Sequence, residues 1–280
     1  MTVSSDAAPA CICCQSNDHA PHLTGLLRCT GCGHVWADMR LSEAELKQLY
    51  ARNYFEGGEY IDYRLEQPAL RRNFRRNLAV LRARHPEGAR LWEVGSAYGF
   101  FLREADAHFE AAGCDISEHA ARHAREHTGV EVAAGDYLGM QLDNTPDIVC
   151  LWDTVEHLAE PHRYLAKAAA DLRPGGTLAL STGDMGSWMA RWRGERWRLL
   201  HPPTHLHYFT TNSMRTLLER LGFTEIRVKH HAFWRSADTV AAKLLSPESA
   251  LYRALGKTGL LRFPFPVNTF DLMTVYASKK

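Results

Sequence analysis

Residues 91–99, Leu-Trp-Glu-Val-Gly-Ser-Ala-Tyr-Gly, constrain this chain more than any other stretch. An apolar strand carrying an acid near its end, Glu93, runs into a turn of small residues and then into a helix. Gly95 permits the tight turn, and Gly99 lets helix and ligand approach without a Cβ between them. A doubly wound α/β sheet brings its backbone against a nucleotide-like ligand in this way. Alone, the glycine pair fits an ordinary strand–helix turn equally well. Its weight comes from the strand ends that recur downstream at βα spacing. Gly113-Cys-Asp115 ends a second strand in an acid about twenty residues on, where a ribose would need an acceptor. Gly135-Asp-Tyr137 ends a third, Asp147–Asp153 forms a fourth, and Leu172-Arg-Pro-Gly-Gly-Thr-Leu-Ala-Leu180 supplies a helix stop and a fifth.

The expected strands are 89–94, 110–115, 130–133, 147–152, 177–182 and 223–229, with helices centred on 104, 121, 167 and 216. Ser117 and Thr211 are the expected N-caps of two of these helices. With 280 residues and 45% hydrophobic content, the chain can bury one sizeable core plus a small appendage. A net charge of +1 gives no reason to expect a nucleic-acid surface. No apolar run approaches the roughly 20 residues that span a bilayer. Residues 1–9 have neither the basic start nor the apolar centre of a secretory signal, so the expected location is the cytoplasm.

Of the seven cysteines, Cys11, Cys13, Cys14, Cys29 and Cys32 crowd the first 32 residues. Cys114 and Cys150 fall in expected strands and read as small buried hydrophobes. Cys11-x-x-Cys14 and Cys29-x-x-Cys32 are two knuckles whose thiolates can converge on one tetrahedral Zn²⁺. Cys13 is an alternative to Cys14, at a poorer spacing. A cytosolic chain disfavours disulfides, and a site of four thiolates is closed and structural.

Residues 1–40 are therefore expected to form a zinc-binding module too short to hold a core without its metal. Residues 41–88 read as a helical linker or lid. Ser42-Glu-Ala-Glu45 is a capping box, and Pro68 opens a helix running to about Arg84. The arginines of that helix (Arg71, Arg72, Arg75, Arg76, Arg82) are expected on a solvated face, with an anionic acceptor as the alternative. Residues 89–280 form the main domain, with inserted helices at about 233–266.

Glu93–Gly99, Asp153-Thr-Val-Glu-His157 and Leu172-Arg-Pro-Gly-Gly176, in that order, resemble the class I (Rossmann-like) S-adenosylmethionine-dependent methyltransferases over roughly residues 70–280. The resemblance implies a mostly parallel sheet closed by an antiparallel last strand, Leu272–Ala277, and S-adenosylmethionine as cofactor. It implies a cofactor set of Glu93, Gly95, Ala97, Gly99, Asp115, Ile116, Asp136, Tyr137 and Trp152. In that set Glu93 faces the methionine amino group, Asp115 the ribose hydroxyls, and Asp136 the adenine amino group, with Tyr137 beside the ring. The alternative for each acid is a helix N-terminal cap, which three acids at three successive strand ends disfavour. Ala97 stands where the family's loop often has a third glycine.

Methyl transfer from a sulfonium is an in-line displacement that needs alignment and an unprotonated acceptor. A helical turn gathers Asp153, Glu156 and His157 on one face, and His205 and His207 follow downstream in Thr204-His-Leu-His-Tyr-Phe209. A similar set holds a divalent metal in ubiquinone-pathway O-methyltransferases and small-RNA 2′-O-methyltransferases, although Asp153 replaces the first glutamate of the RNA enzymes. Structural or acid–base use of Glu156 and His157 is the alternative. Trp188, Trp192 and Trp197 are interleaved with Arg191, Arg193, Arg196 and Arg198. With Tyr208 they read as an acceptor-binding lid, or as plain packing.

The leading expectation is a methyltransferase acting on a hydroxyl of a small molecule or a carrier-linked sugar. A metal-dependent RNA 2′-O-methyltransferase and a non-catalytic zinc-ribbon binding module are the alternatives. No feature of the sequence sets an oligomeric state.

Overall fold

The computed structural model describes residues 10–39, 63–238, 241, 245, 249–258 and 263–280. In chain order the strands are β1 His19–Pro21, β2 Leu26–Cys29, β3 Val35–Ala37, β4 Arg90–Val94, β5 Glu110–Asp115, β6 Glu131–Ala134, β7 Ile148–Trp152, β8 Thr177–Gly183, β9 His207–Tyr208, β10 Phe223–Lys229, β11 Phe233–Ser236, β12 Pro264–Val267 and β13 Leu272–Lys279. The helices are α1 Tyr63–Arg82, α2 Phe100–Ala105, α3 Glu118–Thr128, α4 Pro161–Asp171, α5 Trp188–Arg193, α6 Thr211–Arg220 and α7 Ala250–Lys257. They divide between two compact units, Met1–Arg40 with Gln141–His230 and Phe270–Lys280, and Leu41–Met140 with His231–Thr269. Among the described residues no helix is long and apolar enough to cross a membrane.

In the first unit, β7 reads Ile-Val-Cys-Leu-Trp and every residue is buried. Such an unbroken apolar run suits a strand covered on both faces. It pairs in parallel with β8, Ile148 opposite Thr177. β13 then pairs antiparallel to β8, and β10 antiparallel to β13. Thr210, rather than Thr211, caps α6: its hydroxyl accepts from Ser213 N at 3.0 Å, and the Ser213 hydroxyl accepts from Thr210 N at 2.8 Å.

The cysteine-rich segment is not closed on itself. β1, β2 and β3 form a small antiparallel sheet whose fourth strand is β9, with Val35 opposite Tyr208 and Trp36 opposite His207. Helix α6 satisfies the carbonyls of both knuckles. Asn212 donates to Cys32 O at 3.0 Å, and Arg220 donates to Cys13 O at 3.0 Å and to Ile12 O at 2.6 Å. The segment expected as a separate module over 1–40 thus shares its sheet and its polar contacts with residues 207–220.

In the second unit β4, β5 and β6 run parallel in that order. Ser117 caps α3 by accepting from Ala120 N, as expected. Gly99 has φ +72°, and a Cβ there would lie 3.0 Å from Ala124 Cβ and 3.3 Å from Thr128 Oγ1 and Val130 Cγ2. Its glycine is required by the crossing of the loop over α3, where a ligand approach was expected.

Helix α1 begins at Tyr63, so Pro68 lies inside it and not at its start. Arg71, Arg72, Arg75 and Arg82 are exposed, as expected of a solvated face, and Arg76 is half-buried. Arg71 and Arg75 converge on Glu104, at 2.6 and 3.0 Å. Arg72 lies over the Trp234 ring, and Arg76 lies over Phe233 and donates to Ala232 O. Asn73 bonds both backbone groups of Trp234, so α1 holds β11 as a partner strand would. β11 pairs with β12, so the segment expected as inserted helices at about 233–266 begins and ends in strand, with α7 between them. The capping box at 42–45 lies outside the described residues.

Candidate active site

Two groups of residues carry the candidate chemistry, one in each unit. In the second unit the chain leaves β4 through Gly95 and Ser96, whose amides both donate to Cys114 O, at 2.8 and 3.0 Å. The turn continues through Ala97 at φ +46°, a left-handed position held by a non-glycine residue. Asp115 fixes it there. One carboxylate oxygen accepts from Ala97 N and the other from Ser117 N, each at 2.8 Å. A carboxylate oxygen accepts two bonds, so each keeps one lone pair for a hydroxyl donor. Burial raises the Asp115 pKa, against the lowering effect of the two amides.

Glu93 is buried, and its Oε2 has no hydrogen-bond partner. Burial, aided by the charge of Asp115, pushes its carboxyl well above the usual range. A buried oxygen left unbonded is costly, and a donor brought in by a ligand removes that cost. Ile116 is 49% exposed beside Asp115, which leaves an apolar side chain open to a flat ring. Glu93, Asp115 and Ile116 therefore fit an ammonium, a pair of ribose hydroxyls and an adenine.

Asp136 is exposed and accepts from Leu138 N at 3.0 Å, capping the short turn 137–139. Tyr137 is 1% exposed. Trp152, the last residue of β7 in the first unit, is also buried.

The first unit holds the acid–histidine group. Glu156, His157 and His205 bring their ligand atoms within 4.8 Å of one another. His157 Nδ1 donates to Thr204 O and His205 Nδ1 donates to Leu199 O, both at 2.8 Å. Because a carbonyl only accepts, these bonds put the ring proton on Nδ1 and leave the Nε2 lone pair to the cluster. Burial is the main cause of the low pKa of both rings, about 4 for His157 and about 2 for His205. Burial, then the charge of Asp153, raises Glu156 to about 8. Two neutral imidazoles and a carboxylate, each imidazole oriented by a carbonyl behind it, are a donor set for a divalent ion.

Two expected members are not in that set, although the charge of Asp153 reaches Glu156. Asp153 is exposed at φ +48°, and its carboxylate accepts from the Ser181 hydroxyl at 2.7 Å. His207 is buried in the small sheet, where Nε2 donates to Ala159 O and Nδ1 accepts from His34 Nε2, both at 3.1 Å. That pairing uses both of its nitrogens.

The tryptophans also separate. Trp197 is 2% exposed and donates to Asp271, and Tyr208 is buried with its hydroxyl on His205 O, so both serve packing. Trp188 and Trp192 are exposed. Sequence reasoning missed His201, whose ring lies 3.8 Å from that of His205, and the pair of buried Asp184 with His230 at 2.8 Å. The crowding of histidines at 201–207 was the available signal for the first. Nothing local signals the second.

Cys11, Cys14, Cys29 and Cys32 hold their four sulfurs within 4.8 Å of one another, with Cys11–Cys32 at 3.5 Å and Cys14–Cys29 at 3.4 Å. Four sulfurs bonded tetrahedrally to zinc at about 2.3 Å are about 3.8 Å apart, so the cluster fits that ion. Cys13 is buried outside the set, and none of the seven cysteines is in a disulfide.

Residues 65–228 match the methyltransferase domain family. No curated protein matches the chain. Among solved structures, the fold is similar to that of a SAM-dependent methyltransferase from Thermotoga maritima, at TM-score 0.54 and 20% identity over 84% of this chain and 98% of that one. It is similar to magnesium protoporphyrin IX methyltransferase from Synechocystis with bound SAH, at TM-score 0.57 and 15% identity over 85% and 100%. A SAM-dependent methyltransferase from Archaeoglobus fulgidus gives TM-score 0.53 and 18% identity over 81% and 97%.

Proposed function

Because this chain belongs to the methyltransferase domain family, we propose that it is an S-adenosylmethionine-dependent methyltransferase acting on a hydroxyl of a small molecule or carrier-linked sugar. The observation that carries the cofactor is the unbonded, buried Oε2 of Glu93 beside the Asp115 clamp. Glu93 would accept from the methionine ammonium, Asp115 from the ribose hydroxyls, and Ile116 would pack on the adenine. Asp136 would meet the adenine amino group from its exposed turn. When bound, the cofactor supplies an electrophilic methyl on a sulfonium. The protein's part is to hold the acceptor in line and unprotonated.

For that second task we favour Glu156, His157 and His205 as the ligands of a divalent ion over a histidine base. A held divalent ion favours deprotonation of an acceptor hydroxyl. The bonds from Nδ1 to backbone carbonyls support this reading, because they hold both rings and put their protons on Nδ1, with the cluster's ligand atoms within 4.8 Å of one another. A ring whose pKa is about 4 or about 2 is a poor proton acceptor at neutral pH. Zinc in the four-cysteine cluster would be structural.

The test is to incubate the purified protein with radiolabelled S-adenosylmethionine and a cell extract, with and without EDTA, and to identify the labelled product by mass spectrometry. Label in a small molecule or glycan, lost in EDTA and restored by Mg²⁺ or Mn²⁺, supports the full reading. Label that survives EDTA removes the catalytic ion. Label in RNA selects the alternative acceptor, and no binding of S-adenosylmethionine by calorimetry removes the enzyme reading altogether.

A further inference from the structure

Helix α5 and the turn after it leave an unusual surface. Trp188 and Trp192 lie one helical turn apart, 54% and 69% exposed, with ring centroids 6.2 Å apart. The chain buries an indole in this same segment where the fold has use for it: Trp197 is 2% exposed and bonded to Asp271. The other two are left outside. In the same segment Arg191, Arg193 and Arg196 are exposed and form no ion pair among the described residues, Arg193 lying 5.1 Å from the centroid of the Trp192 ring. Arg198 is taken by Asp271 at 2.9 Å. Glu195, the single acid between 188 and 198, is turned away to Thr24, accepting from its hydroxyl at 2.5 Å and from its amide at 3.3 Å. Its charge is therefore engaged with the β1–β2 turn and not with the arginines.

We propose that this patch is an interfacial docking surface for an anionic phospholipid bilayer. The two indoles enter the boundary between headgroups and acyl chains, and the three arginines meet lipid phosphates. Indoles sit at that depth because they are apolar bodies with a polar N–H, and arginines add attraction to an anionic leaflet. A single-stranded nucleic acid would also accept stacked indoles and cations. It requires a track of cations along its backbone, whereas three arginines within six residues, on a chain of net charge +1, offer no track. The surface follows directly after β8, so docking would present that end of the strand to the membrane. If the methyltransferase reading holds, its acceptor is then one anchored to lipid. The lipid-anchored acceptor rests on the methyltransferase reading, while the docking surface does not.

The experiment sediments the full chain with vesicles of phosphatidylcholine, and with vesicles of phosphatidylcholine mixed with phosphatidylglycerol. Three arginines at an anionic surface should strengthen retention on the order of 10²-fold over the neutral vesicles. The double variant Trp188→Ser/Trp192→Ser should lose at least about tenfold of that binding. Its circular dichroism should be that of the wild type, since both rings are solvent-facing. Arg191→Glu/Arg193→Glu should remove the preference for anionic lipid. The proposal is overturned if the wild type does not sediment with anionic vesicles, if the tryptophan variant binds as the wild type does, or if a single-stranded oligonucleotide displaces the vesicles. Calorimetric titration of S-adenosylmethionine tests the enzyme reading separately, so the failure of one is not mistaken for the failure of the other.

Discussion

Replacing Glu156 by glutamine should make the metal-free protein more stable, and the gain should grow with pH. Glu156 is buried, accepts from Thr182, and has its carboxyl raised to about 8 by burial and by Asp153. In the unfolded chain the same group titrates near its ordinary 4.5. A folded-state pKa above the unfolded one means that stability is complete below about 4.5 and is lost as pH rises toward 8. At about 1.4 kcal/mol per unit, the loss is about 1 kcal/mol at pH 5 and about 4 kcal/mol at pH 7.5. Glutamine has the same shape, can still accept from Thr182, and never ionises. In EDTA, urea unfolding followed by circular dichroism should therefore show Glu156→Gln above wild type by about 4 kcal/mol at pH 7.5 and about 1 kcal/mol at pH 5. A difference that does not change between the two pH values would refute the reasoning, because it would mean the carboxyl ionises as an ordinary glutamate. The same variant should lose affinity for a divalent ion, a gain of stability at the cost of the site.

Three further outcomes are expected. Asp115→Ala should weaken S-adenosylmethionine binding by about 1.5–3 kcal/mol for each charge-assisted bond lost; equal affinities by calorimetry would remove the ribose assignment. Cys29→Ser should release stoichiometric zinc and loosen β1–β3 together with His207–Tyr208, because β9 completes that sheet; elemental analysis finding no zinc in the wild type would remove the metal. Gly99→Ala adds a Cβ 3.0 Å from Ala124 Cβ at φ +72°, so overpacking plus left-handed strain should cost about 2–4 kcal/mol in urea unfolding, and a loss below about 1 kcal/mol would show that the loop relaxes freely.

The sheet strands were legible because each is a local apolar run bounded by turn residues, and β4, β5, β7, β8 and β10 fall where those runs lie. The cysteine pairs were legible for a similar reason, since two-residue spacing is a local signature of a knuckle. What was not legible depends on partners far away in sequence. His205 and His207 look alike in the chain, yet one joins Glu156 and the other pairs with His34, 173 residues distant. Trp188, Trp192 and Trp197 share one arginine-rich context, and only the Asp271 carboxylate, 74 residues away from Trp197, decides which is buried. The arginines of α1 are largely exposed as read, but their partners Glu104 and the aromatics of β11 cannot be seen from the helix itself. Short polar strands such as β1 and β9 carry no periodicity, and only their pairing makes them strands.

The pairing of β3 with β9 also sets an order of assembly. A ribosome delivers residues 35–37 well before residues 207–208 exist, so during synthesis β3 has an open edge where its last partner belongs. Open edges invite pairing with other chains, and a contact closed across so long a loop forms late in folding. A metal ion gathering the four thiols of the knuckles would hold the N-terminal segment in shape through that interval. The nascent chain should therefore acquire its knuckles first and its fourth strand last, and a cell short of metal should accumulate aggregates of newly made chains before it loses finished protein.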